Sequence, residues 1–232
     1  MIKQLFIFIA IAGMFWLLFP LLQEFVVPEK LNELSADYIT GSALDLQIPN
    51  TVTAIVVTYR GLDTLGEVTV LFLATAGVGF LLKKKGKKNI SRRQGSEILQ
   101  TGAGFLAPLI LLLGVYVFSH GHLSPGGGFQ GGVLIASAFL LLALAKVDFR
   151  FSKNLIHFTE SLSGSVYVLL AAIGIFIVGA NHFLDPRFLP SGTWFTLFSA
   201  GAVPLIYSVL GLKVGSELSS VINSLQNSGG EE

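Results

Sequence analysis

Glu67 is the residue best placed to carry an ion. It closes the run Arg60-Gly-Leu-Asp63-Thr64-Leu-Gly-Glu67, and the apolar stretch behind it ends in a cluster of lysines that starts at Lys83. Sixteen residues separate Glu67 from Lys83. At roughly 1.5 Å per residue, a helix carries the carboxylate about 24 Å away from that basic edge. A hydrocarbon core is ~30 Å thick, so Glu67 falls inside its far boundary. An ionisable side chain there faces protein or water and marks an ion or proton route. Desolvation favours the protonated acid unless a cation offsets it, a balance suited to a proton or sodium carrier. The simpler alternative is that Glu67 pairs with Arg60 or with the first amides of its own helix. Asp63 and Thr64 supply candidate helix caps, and Arg60 and Asp63 set the local charge balance.

A second run joins two other apolar stretches: Ser119-His120-Gly-His122-Leu-Ser124-Pro125-Gly126-Gly127-Gly128-Phe129-Gln130-Gly131-Gly132. It lacks the Lys-Ser/Thr pair of a phosphate loop and follows no strand. Gly128, Gly132 and Ala136 recur every four residues, which makes a bare helical stripe for close packing. Gly126 to Gly128 behind Pro125 also permit irregular backbone that lends carbonyls or a hydrated passage to an ion. His120, His122 and Gln130 add a polar flank suited to proton relay or to loop hydrogen bonding. Haem and zinc are both set aside: His157 has no histidine partner, and loop spacing does not enforce a three-histidine site. The expectation is no cofactor and no bound metal, a proton or sodium being at most a transported ion.

These residues sit among six apolar stretches, near 5–22, 64–82, 98–119, 128–145, 161–180 and 193–213, each close to the ~20 residues that span a bilayer. Over the 232 residues, 52% are hydrophobic and 12% charged, with no cysteine. The charge is half the ~25% of a soluble domain, which excludes an ordinary soluble enzyme. The missing cysteine excludes a disulfide scaffold, iron–sulfur clusters and thiolate zinc. Net charge is +1, which gives no reason to expect nucleic acid.

The fold class expected is therefore all-α, a polytopic membrane protein of about six transmembrane helices. Basic residues orient it. With both termini cytoplasmic, 12 of the 15 Lys and Arg lie inside, leaving Lys30, Arg60 and Arg187 outside. A signal-peptide reading of 5–22 fits Lys3 before an apolar run, but the run is long and no A-x-A site follows.

The basic loop 83–97 divides the chain into a two-helix region, 1–90, and a four-helix region, 91–214, with a polar cytoplasmic tail at 215–232. Pro49 suits the first position of a helix, and residues 50–59 read as a short apolar one, ended by Gly61 ahead of the second span near Thr64. Pro108 and Pro204 fall inside the third and sixth spans and are expected to bend them. Leu123 and Pro125 match Leu184 and Pro186 at an offset of 61, and Asn181-His182 stands where the histidines stand in the first copy. This suggests a parallel repeat of two hairpins.

The Gly-rich motif, His120-Gly-His122 through Pro125 to Gly132, resembles the signature of the B subunit of Mrp-type sodium/proton antiporters, the MnhB family. The likeness covers roughly residues 92–214. The segment from Asn50 to Glu67 resembles the C-terminal end of the antiporter A subunit, and also the small MbhE-type subunit of archaeal membrane-bound hydrogenases. Joining both in one chain departs from the usual separate subunits. The resemblance implies a multi-pass cell-membrane subunit of a multisubunit assembly, either a stand-alone antiporter or a complex related to respiratory complex I. It implies a transport role with no redox chemistry of its own, and partner membrane subunits. Arg60, Asp63, Thr64, Glu67, His122 and Pro125 to Gly132, Phe129 among them, fall on motif positions. The competing expectation is a purely structural subunit that docks partner helices through Gly128, Gly132 and Ala136 while ions pass elsewhere.

Overall fold

The computed structural model describes residues 2–24, 30–82, 94–150, 152–178 and 183–228. Two compact units are formed, Met1–Asp37 and Tyr38–Glu232. Among the described residues, six helices are long and apolar enough to cross a membrane. The first unit contains one of them, α1 (Ile2–Glu24). Its side chains from Lys3 to Pro20 are all exposed, as suits a helix that is apolar all round.

The second unit begins within α2 (Glu33–Leu44), a helix not foreseen from the polar stretch it occupies. Then comes α3 (Thr51–Thr53), which widens into a π-helical turn, Ala54–Tyr59. Asn50 caps α3, its Oδ1 accepting from the amides of Val52 and Thr53. Pro49 therefore lies one residue outside the helix rather than at its first position. Helix α4 (Gly61–Leu82) follows, and Gly61 begins it rather than ending the element before. The remaining spans are α5 (Glu97–Ser119), α6 (Gly128–Ala145), α7 (Lys153–Val178) and α8 (Val203–Ser228). Ser96 caps α5, with Oγ accepting from Leu99 N at 3.3 Å, and α5 continues unbroken through Pro108.

Helix α8 is the hub, packing against α4, α5, α6 and α7. By packing, α4 thus joins the C-terminal helices in one compact unit. Residues 83–93 of the basic loop lie outside the described residues, as do Asn181 and His182.

Three expectations about the last span are corrected. Residues 193–202 are not helical: they fold as turns, with left-handed backbone at Phe195, Ala200 and Gly201. Ala200 N bonds Ser191 O at 2.9 Å and Ala202 N bonds Pro186 O at 3.0 Å, which folds this segment back on itself. Pro204 is the second residue of α8, where its missing N–H has no intrahelical acceptor to lose, so it starts the helix instead of bending it. Residues 215–228 are no tail, since α8 continues to Ser228 and buries Ser216, Glu217 and Ser219.

The glycine stripe is occupied within the chain. A β-carbon on Gly128 would meet Leu210 Cβ at 2.5 Å, and one on Gly132 would meet Val214 Cβ at 2.7 Å, both on α8. On Gly131 it would meet Gly114 O of α5 at 2.7 Å. Ala136 is buried on the Gly128–Gly132 stripe. The expectation that this stripe is a surface for partner helices is corrected accordingly: α8 fills it.

Candidate functional site

Asn50 fastens the Gly-rich loop to the short helix. Its Nδ2 donates to Gly121 O at 2.8 Å and to Ser124 O at 2.9 Å, while its backbone N donates to His122 O at 3.0 Å. Thr53 Oγ1 donates to the same Gly121 carbonyl at 2.6 Å and accepts from the Tyr207 hydroxyl at 3.1 Å. The carbonyls of residues 121, 122 and 124 are thus engaged in joining two parts of the fold. Gly126 takes φ +140°, a backbone region open to glycine, and lets the chain turn from Pro125 into α6. Asn50→Ala removes both the cap and the two carbonyl contacts. We expect it to cost about 2–4 kcal/mol, read as a lower unfolding temperature of the purified protein, with Gly66→Ala, in open space, near wild type.

The two histidines diverge. His120 stacks on Tyr116, ring centroids 4.2 Å apart, and its Nδ1 lies 3.0 Å from both Ser119 Oγ and Tyr116 O. His122 is 0% exposed. Its Nε2 donates to Thr196 O at 3.3 Å, and Nδ1 has no partner among the described residues. Burial lowers the His122 pKa below its ordinary value, opposed by the Thr196 carbonyl and aided by His120. Pro125 and Gln130 are exposed, and Phe129 packs half-buried against the core.

At the head of α4, Arg60 Nε donates to Asp63 Oδ2 at 2.5 Å in an exposed pair. Across the unit, Arg187 grips the buried Asp185, Nε to Oδ1 at 2.9 Å and Nη2 to Oδ2 at 2.5 Å. Each arginine is therefore neutralised by an aspartate two or three residues away. Thr64 is buried and its Oγ1 donates to Val56 O at 2.6 Å, meeting a carbonyl of the π-helical turn. Gly61, Thr64 and Val68 form the buried stripe of α4. Glu67 lies on the exposed side, without an ion pair among the described residues, but close enough to Tyr167 of α7 to act on it electrostatically. Pairing of Glu67 with Arg60 is not what the geometry shows.

A second ionisable group is not evident from the sequence. Lys213 Nζ lies 2.6 Å from Glu217 Oε1, one turn further along α8, and the two residues are 7% and 0% exposed. The ammonium also sits 5.0 Å from the centre of the Phe72 ring of α4, a favourable cation–π contact. Glu160 of α7 is close enough to act on Glu217, and His157 Nδ1 lies 3.6 Å from Glu160 Oε2. The apolar stretches leave Glu67 as the one acid inside a span away from its ends and put Lys213 at the end of the last stretch; because α8 runs on to Ser228, Lys213 and Glu217 both lie within it instead. The pair's signal is the i, i+4 spacing of Lys213 and Glu217 with small residues between them, hidden because hydropathy falls at Lys213 and ends the apolar stretch there. Helices α4, α7 and α8 thus share a polar seam inside an otherwise apolar bundle.

Residues 98–220 match the family described as a domain related to the MnhB subunit of Na+/H+ antiporter. A Methanocaldococcus jannaschii protein is 31% identical over 201 residues, 75% of either chain. The B subunit of a Bacillus subtilis Na+/H+ antiporter is 36% identical over 86 residues, which are 36% of this chain and 59% of that protein. A chain in the structure of the membrane-bound sulfane sulfur reductase, an archaeal respiratory membrane complex, is 38% identical. It superposes with a TM-score of 0.82 over 97% of this chain and 98% of that one. A chain of the Mrp complex from Dietzia sp. has the same fold, with a TM-score of 0.75 at 21% identity, over 99% of this chain and 26% of that chain.

Proposed function

From the premise that this chain belongs to the family of domains related to the MnhB subunit of Na+/H+ antiporters, we propose that it is a membrane subunit of a multisubunit sodium/proton antiporter module, and that it takes part in ion translocation. The observation that carries this reading is Glu67, a carboxylate inside a span, on the exposed side of α4 and beside the buried Tyr167. A carboxylate so placed needs water, an ion or a partner's polar group against it. Asp63 already holds Arg60, so Glu67 is free for sodium or a proton. Thr64 ties the head of α4 to the π-helical turn and so fixes where Glu67 stands. His120, His122 and Gln130 frame the outer loop, His122 and the Gly-rich turn acting as its anchor. The chain carries no redox group of its own in this reading, both termini face the cytoplasm, and the host is the cell membrane.

The near full-length likeness to the sulfane sulfur reductase chain, against a 59% share of the Bacillus subtilis protein, favours a redox-linked host complex. The expected result of gentle extraction through a tag on the chain, with mass identification of what is retained, is a set of large antiporter-like membrane subunits together with metal-cluster subunits. Antiporter-like subunits alone would make the host a stand-alone antiporter. Recovery of this chain by itself would overturn the subunit reading.

A further inference from the structure

Helix α8 does not need Lys213 and Glu217 to pack. Against α6 it is seated by Gly128 and Gly132, and against α5 by Gly211 under Phe118. Helix α6 carries no ionisable residue, and α5 carries only Glu97 and Tyr116, near its two ends. Among the described residues, Glu160 of α7 is close enough to act on Glu217, Phe72 of α4 faces the ammonium, and Glu67 of α4 acts on Tyr167 of α7. A buried ion pair stabilises little or costs stability relative to apolar residues of similar size. The order Lys-then-Glu at i, i+4 is also the weaker one against the helix dipole. The pair is thus an expense that packing leaves unexplained.

Its surroundings are those of a site. Both carboxylate oxygens of Glu217 and the Tyr167 hydroxyl are buried without a hydrogen-bond partner among the described residues, Lys213 Nζ meeting Oε1 as an ion pair. Tyr167 is 1% exposed. On α7, Glu160, Gly164 and Tyr167 succeed one another at i, i+4 and i+7, on one face. Gly164 lies opposite the lysine: a β-carbon there would stand 3.5 Å from both Cε and Nζ of Lys213. The missing side chain leaves the ammonium room beside α7 between the acid on one side and the phenol on the other. Along α4, Phe72 faces the same ammonium, while Glu67, five residues earlier and about 140° round the helix, connects to the site through Tyr167, on which it is close enough to act.

We propose that Lys213 and Glu217, with Glu160 and Tyr167 on α7, form a proton-holding site inside this subunit, continuing along the bundle the route that Glu67 opens. This inference rests on the ion-translocation reading above. A proton crossing the 2.6 Å from Lys213 Nζ to Glu217 Oε1 breaks one N–H bond and makes one O–H bond. It turns an ion pair into a neutral amine and a neutral acid with no change in net charge. The acid then passes its proton to the Glu160 carboxylate, and the Tyr167 hydroxyl gives its proton to the neutral amine while taking one from a water or hydronium on the Glu67 side, so that the phenol ends unchanged.

The test uses the intact complex, reconstituted in vesicles, with proton movement driven by a sodium gradient. The double variant Lys213→Leu/Glu217→Leu removes both charges and keeps an apolar helix face, so the complex should assemble as the wild type does. We expect sodium-driven proton movement to fall at least tenfold. Exchange within twofold of wild type would make the pair structural and overturn the proposal. Should the double variant fail to assemble, the exchanged pair Lys213→Glu/Glu217→Lys decides, since it retains the ion pair but moves the acid away from Glu160. Slowed exchange supports the site, and wild-type exchange overturns it. Glu67→Gln in the same preparation separates the two readings. If it blocks exchange while the double variant does not, ion translocation through this subunit stands and the inner site falls. If neither blocks, both fall.

Discussion

Glu67→Gln should lower sodium-driven proton exchange by the assembled complex at least tenfold while leaving its assembly unchanged. Glutamine keeps the shape and polarity of the side chain but neither titrates nor carries charge, so only the ionic role is removed. Structural tasks near Glu67 are already filled by others. Arg60 is held by Asp63, and the head of α4 is fixed by Thr64 on the π-helical turn and by Gly61, where a β-carbon would stand 2.9 Å from Phe183 O. The side chain is exposed on this chain, so no internal packing depends on it. A tenfold loss corresponds to about 1.4 kcal/mol of barrier, a modest demand for an ion site within a membrane. Glu67→Asp, which keeps the charge on a shorter arm, should recover part of the rate. The measurement is the initial rate of acridine-dye dequenching in vesicles on addition of sodium. Exchange that survives Glu67→Gln intact would favour a structural subunit with ions passing through its partners.

How far these features can be read from the amino acids differs from helix to helix. The bounds of α6 agree with the sequence reading of 128–145. There a glycine-rich break and Lys146 bracket one uninterrupted apolar run, so local chemistry and hydropathy agree. For α8, hydropathy places the start about ten residues early because 193–202 is rich in large apolar residues, and hydropathy reports where such residues are rather than how the backbone turns. The left-handed Gly192 and Gly201 are the local signals of turns, and Pro204 marks the start of the helix. The second half of α8 is invisible for a second reason. A span surrounded by protein need not be apolar throughout, and α8, the most enclosed of the six, has the lowest mean hydropathy among them. The motif residues are legible as a set, but their roles are not. Spacing shows that Gly128 and Gly132 form a bare stripe, yet only the folded chain shows that α8 already occupies it. Spacing shows two histidines, yet only the fold separates the stacked His120 from the buried His122.

That occupied stripe leads to the largest expected effect on stability. Gly132→Val should separate α6 from α8 and lose the folded subunit. Even a single β-carbon at this position would stand 2.7 Å from Val214 Cβ, 2.8 Å from Gly211 O and 2.9 Å from Gly215 N. Two of those atoms are backbone and the third is fixed to it, so no side-chain rotation relieves the clash. Relief requires the two helices to move apart along their length, and with them the contacts of Gly128 on Leu210 and of Gly215 on Ile135. Close backbone approach is the main source of helix association in a membrane, where lipid competes equally for apolar side chains. Overpacking of this kind costs about 3 kcal/mol or more. It acts on the hub of the bundle, from which Tyr207 also reaches Thr53 and the Gly-rich loop at Gly121. Gly77→Val on α4, where a β-carbon meets nothing within 4 Å, is the matched control for valine in a helix. The two are compared by the amount of chain retained in the membrane-extracted complex and by its unfolding temperature. A Gly132→Val subunit that assembles and melts like the Gly77→Val control would show that α6 and α8 do not meet through this stripe.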